Sequence, residues 1–162
     1  MKKLRNNSGM TLTELLMAIL IVSISTALVG VGIRLAVNSY KACMEASQAQ
    51  MLCSTLTADI SDKLRFSGTV KETNGKIDEI FIQELGKVAV FDINRDGILE
   101  LDGRPIINSG AYPRGLKLKG FSIKFNSTTN IFTVKFDVVN DKNKTVISQE
   151  FQVKRINPEV NG

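Results

Sequence analysis

Apolar residues fill the chain from Met10 to about Ile33 on every side, and beyond Arg34 they fall back to part of a helical surface. Leu15 to Ile33 is 19 residues without a charge, roughly 28 Å of helix at 1.5 Å per residue and close to the hydrocarbon thickness of a bilayer. The run predicts a membrane span, with Thr11, Thr13, Ser23, Ser25 and Thr26 bonding back to their own helix and Gly30 and Gly32 softening its outer end. No proline occurs before Pro105, so the helical pattern continues past Arg34, which snorkels at the interface. Val37, Tyr40, Met44 and Met51 share one side of the extension, and Leu52, Leu56, Ile60 and Leu64 form an i, i+4 ridge displaced round the cylinder. One helix of about 55 residues is the simplest account, and its second half needs a surface to pack against.

After a breaker region from Ser67 to Gly75 the period shortens to two. "IDEIFIQEL", "KVAVFDI" and "GILEL" read as strands, "RPIINSGAYPRG" as a loop, and "LKLKGFSIKF", "IFTVKFDVV" and "TVISQEFQVKRI" as three clearer strands. Phe132, Val134, Phe136 and Val138 alternate with Thr133, Lys135 and Asp137, the signature of a sheet with one wet face. Short polar connections make the last three strands an antiparallel meander. The expected fold is α+β, a long N-terminal helix packed on an antiparallel sheet of about four to six strands. The expected divisions are residues 1–9, a transmembrane half 10–33, an amphipathic half 34–66 and a β-rich domain 67–162.

The 162 residues allow one small soluble core once the span is set aside. There is no histidine, which removes imidazole acid–base catalysis and imidazole metal ligation. The carboxylates are scattered, with no nucleophile beside a base, so the chain does not read as an enzyme. The net charge of +5 falls to +2 without Lys2, Lys3 and Arg5. Residues 66–112 carry −3 and residues 113–162 carry +5, an asymmetry that suits stacking of like subunits or an anionic partner. Cys43 and Cys53, about 15 Å apart along one helix, are too far apart to bridge and read as small buried or half-buried hydrophobes, with a bond to another subunit as the alternative.

Against this background Glu14 stands out, a carboxylate at the start of a lipid-facing run. The sequence "SGMTLTELLMAILIVSIS" resembles the prepilin signature of type IV pilins and pseudopilins: a short basic leader ending in Gly9, Met10 as the new first residue, the pair Thr11-Leu12, then Glu14 and a long apolar helix. Phenylalanine is usual where Met10 stands. The resemblance implies a pilin-like fold and a structural role as a pilin or pseudopilin, a minor subunit of a type IV pilus or a related secretion or competence filament. It implies that a prepilin peptidase cuts after Gly9 and methylates the Met10 amine, and that Glu14 meets the positive N-terminus of a neighbouring pilin subunit. A buried carboxylate neutralised only by the correctly registered neighbour acts as a register check. The implied partners are the peptidase, other subunits, a membrane platform protein, an assembly ATPase and, before assembly, membrane lipid. The basic leader would stay cytoplasmic and send the rest of the chain outward, later to a cell-surface or periplasm-spanning filament.

Other readings compete. A secretory signal would cut at Ser25-Thr26-Ala27 and start the mature chain at Leu28, but Glu14 interrupts its core and the apolar run continues past the cut. A single-pass tether for an outward binding or sensing domain explains the span and leaves Gly9, Thr11-Leu12 and Glu14 unexplained. "DINRDG" sets Asp92, Asn94, Asp96 and Gly97 in the spacing that opens a calcium loop; Gly103 replaces the glutamate an EF-hand needs, leaving Glu100 or Asp102 to complete a different oxygen shell. Asp-Gly between apolar runs is first a hairpin turn. Lys117, Lys119, Lys124 and Lys135 make DNA a weaker candidate partner, since few aromatic residues accompany them.

Overall fold

A computed structural model describes residues 10–73 and 76–156. The long helix forms as one element, α1 (Leu12–Arg65), and the chain divides into two units between Cys43 and Met44. In the first unit, the described side chains are exposed apart from the half-buried Ala18. Within it Ser23 and Thr26 donate to the carbonyls of Ile19 and Val22 at 2.7 and 2.8 Å, so hydroxyls in an apolar helix find partners one turn back. The leader, residues 1–9, lies outside the described residues.

In the second unit the i, i+4 ridge predicts the core correctly. Leu52, Leu56, Ile60 and Leu64 are buried, joined by Ala49 and Cys53. Met44 and Met51, on the other side of the helix, stay exposed. The helix ends where the Ser67 hydroxyl, fully buried, donates to the Leu64 carbonyl at 2.8 Å, and where the Ile156 amide donates to the Arg65 carbonyl at 2.9 Å.

Among the described residues nine strands make three antiparallel three-stranded sheets, more than the single sheet of four to six strands that the pattern predicts. The first holds β1 (Ser67–Thr73), β2 (Lys76–Ile82) and β3 (Lys87–Ala89); the breaker region thus begins as a strand, with register shifts that explain its irregular sequence. The second holds β4 (Phe91–Ile93), β5 (Leu99–Leu101) and β6 (Arg104–Pro105). "KVAVFDI" is therefore not one strand. It breaks at exposed Val90, whose carbonyl accepts from the Asp102 amide at 2.9 Å and hands the chain from one sheet to the next.

The third sheet is the predicted meander, β7 (Leu116–Asn126), β8 (Ile131–Asn140) and β9 (Thr145–Lys154). A bulge between Lys119 and Ser122 places Gly120 at φ +65°, the left-handed conformation a glycine bulge requires. Phe132, Val134, Phe136 and Val138 are fully buried and share one cluster with Leu56, Ile60, Leu99 and Ile80. Arg155 locks the end of the sheet: its guanidinium donates to the Gly68 carbonyl and to the Asn130 side chain at 2.6 and 2.8 Å, and lies 5.1 Å from the centre of the Phe125 ring. Burial pulls its pKa below the usual arginine range. Cys53 is buried as expected, whereas Cys43 is exposed, because its helical position lies before the segment that the sheets cover.

Candidate functional site

The first turn of α1 holds a closed set of hydrogen bonds. Thr11 precedes the helix, and its hydroxyl accepts from the Glu14 amide at 3.3 Å. In return Glu14 Oε2 accepts from the Thr11 amide and from the Thr11 hydroxyl, both at 2.8 Å. This is a capping box, Thr-x-x-Glu, which satisfies two of the amides that every helix start leaves without partners and sets a negative group at the positive end of the helix dipole. The Thr13 hydroxyl lies 3.1 Å from that of Thr11. Both contacts of the Glu14 carboxylate engage Oε2; Oε1 has no partner among the described residues. Met10, one residue before the cap, is exposed, and Gly9 lies outside the described residues.

The "DINRDG" segment folds as a turn joining β4 to β5. The Gly97 amide donates to the Asn94 carbonyl and the Asn94 amide to the Ile98 carbonyl, both at 3.0 Å, with Gly97 at φ +77°. That is a three-residue hairpin loop closed by a left-handed glycine. Asn94 Oδ1 accepts from the Asp96 and Ile98 amides at 3.0 Å, its Nδ2 donates to Glu100 at 2.6 Å, and Asp92 Oδ1 accepts from the Ile93 amide at 2.8 Å. Asp102 is turned elsewhere, onto Lys87, and the lysine holds its carboxyl below the usual range. The structure brings Asn94 and Glu100 together but sends Asp102 away from them. No group of three or more Cys, Asp or Glu side chains converges as a metal would require among the described residues. Lys117, Lys119, Lys124 and Lys135 are exposed on the third sheet, with Lys119 opposite Asp137 and Lys135 opposite Glu150.

The helix start therefore combines an exposed Met10, a Thr11–Glu14 box and a run that is long and apolar enough to cross a membrane. The family model of the prokaryotic N-terminal methylation motif matches residues 4–30. The chain carries a prepilin signature. No curated protein and no solved structure matches it significantly. The motif supports a type IV pilin-like protein processed by prepilin peptidase, points to a structural subunit, and together with the apolar helix fits membrane anchoring.

The Thr11 hydroxyl pairs forward with Glu14, a use that the expected bond back along its own helix does not include. Its signal was present, since a threonine three residues before a glutamate at the head of an apolar run marks a capping box. Reading Glu14 as a carboxylate in lipid that meets a neighbour's N-terminus leaves out this more local use.

Proposed function

We propose that the chain is a minor structural subunit of a type IV pilus or a related secretion or competence filament. Prepilin peptidase cuts between Gly9 and Met10 on the cytoplasmic side and methylates the Met10 amine; the helix then holds the subunit in the membrane, the globular part outside, until a platform protein and an assembly ATPase draw it into the filament. The observation that carries this reading is the match of the methylation motif to residues 4–30, at the head of an apolar helix that starts at Leu12. Cleavage at that bond leaves the Thr11 amide inside the chain, so the capping box survives processing. Glu14 Oε1 remains to meet the amine of a neighbouring subunit, and a carboxylate in lipid gains most from a partner that is itself charged.

The test is the intact mass and N-terminal sequence of the full chain, expressed with and without a prepilin peptidase. The expected product begins with N-methyl-methionine at Met10, only with the peptidase. A chain starting at Leu28, or one left uncut, overturns the proposal.

A further inference from the structure

A cavity of about 290 Å³ opens where three elements of the second unit meet: the last turns of α1, the Gln83–Leu85 turn leading into β3, and the β5–β6 hairpin. Its walls include Leu85, Leu101, Pro105 and Ile106, and its cations are Lys63, Lys87 and Arg104. Lys63 is unusual for a lysine in having a side chain only 18% exposed; it pairs with Glu84 at 2.8 Å, whose own side chain is 67% exposed. Lys87 pairs with Asp102. Arg104 lies near enough to Asp102 to help hold its carboxyl low, yet makes no ion pair of its own among the described residues. Three cations thus face two carboxylates, one positive charge in excess, and the unspent cation is the one whose planar fork suits a carboxylate.

The apolar wall narrows the ligand class. Leu85 remains 37% exposed beside these charges. A small inorganic anion would have to shed water against such a wall with no return, whereas an anion with a short hydrocarbon tail would place each part on its match. The volume is at the small end of ligand pockets, roughly 300 Å³ and upward. We propose that this cavity is a binding site for a small aliphatic carboxylate, its oxygens on Arg104 with Lys87 and Lys63 nearby and its tail against Leu85 and Ile106. The site stands independently of the filament reading.

The experiment follows amide shifts of isotope-labelled full-length chain in detergent micelles during titration with butyrate, acetate or inorganic phosphate. Butyrate should give saturable shifts centred on Leu85, Lys87 and Arg104. Acetate should bind about tenfold more weakly, the worth of two methylenes removed from water. Arg104→Gln should weaken butyrate at least tenfold, and Leu85→Ser should shrink the difference between butyrate and acetate, each with the amides distant from the cavity unmoved. Lys124→Gln, on the third sheet, should change nothing. Shifts that do not saturate, equal binding to Arg104→Gln, or phosphate binding as tightly as butyrate would each overturn the assignment.

Discussion

Replacing Gly97 by alanine separates two reasons for a glycine, and Gly103 supplies the control. Both adopt left-handed conformations, at φ +77° and +75°. A side chain there costs about 1–2 kcal/mol, partly offset by the roughly 0.4–1 kcal/mol that alanine contributes by restricting the unfolded chain. Gly103 has open space around it, so Gly103→Ala should destabilise by about 1 kcal/mol and no more. Gly97 is buried, and a Cβ there would stand 2.6 Å from Lys117 Cβ and 3.2 Å from the Leu118 amide nitrogen. Lys117 Cβ is fixed to its strand and cannot swing aside, so the turn must move. Movement strains packing by about 1–3 kcal/mol and weakens the 2.8 Å bond from the Leu118 amide to the Gly97 carbonyl, worth about 1 kcal/mol. The two variants should therefore differ by about 2–3 kcal/mol, or near 10 °C in thermal midpoint for a folded unit of this size. Circular dichroism melts of the full chain in detergent read this directly. Midpoints within about 2 °C of each other would refute the close approach of the turn to β7, since conformation alone would then account for both.

Phe136→Ala should lose about 3–5 kcal/mol in urea or thermal unfolding, because its ring is fully buried and packs edge-on against Phe151 at 6.4 Å. A maleimide reagent should label exposed Cys43 in the native protein and reach Cys53 only on unfolding, since burial both shields that thiol and pushes its pKa up; labelling of both at equal rates would contradict the packing of α1. Asp102 has its pKa lowered in the folded state, chiefly by Lys87, so it adds stability above the unfolded carboxylate pKa of about 4 and loses it as pH falls through the lower folded value. The melting difference between the native chain and Asp102→Asn should accordingly be present at neutral pH, fade in acid, and shrink in salt because the pair is exposed.

The parts that were legible in the sequence are those in which one period runs long enough to exclude alternatives. Seven residues of alternation from Phe132 to Val138 dictated β8 and its buried face, and four residues spaced by four from Leu52 to Leu64 dictated the buried side of α1. The middle of the chain was not legible, because its strands run only two or three residues in the second sheet and a continuous apolar run such as "VAVF" has no period to read. What divides that run is the bond from the Asp102 amide to the Val90 carbonyl, formed by residues twelve positions apart, and no local pattern announces it. The candidate calcium loop shows the converse. Its spacing was legible, but the same oxygens that would face an ion also suit a hairpin, and Asn94 spends its side-chain oxygen on two backbone amides.

Glu14 joins both scales, since one carboxylate caps its own helix and, in the proposed reading, also meets the amine of a neighbour. The two uses can be separated by substitutions that differ in charge and not in shape. Glutamine at position 14 keeps an oxygen that accepts from the Thr11 amide, as capping boxes permit, and loses only the charge. Thr11→Val keeps the charge and removes the hydroxyl that donates to Glu14 and accepts from its amide. If charge is what the filament selects, Glu14→Gln should reach the membrane and be processed normally yet lose incorporation into sheared filaments, while Thr11→Val keeps a substantial part of it. If the role of Glu14 ends at the helix start, Glu14→Gln should assemble like the native chain and Thr11→Val should be the weaker of the two. That outcome would leave the charge without a use in assembly and refute the pairing with a neighbour's amine, because an amide side chain forms no ion pair.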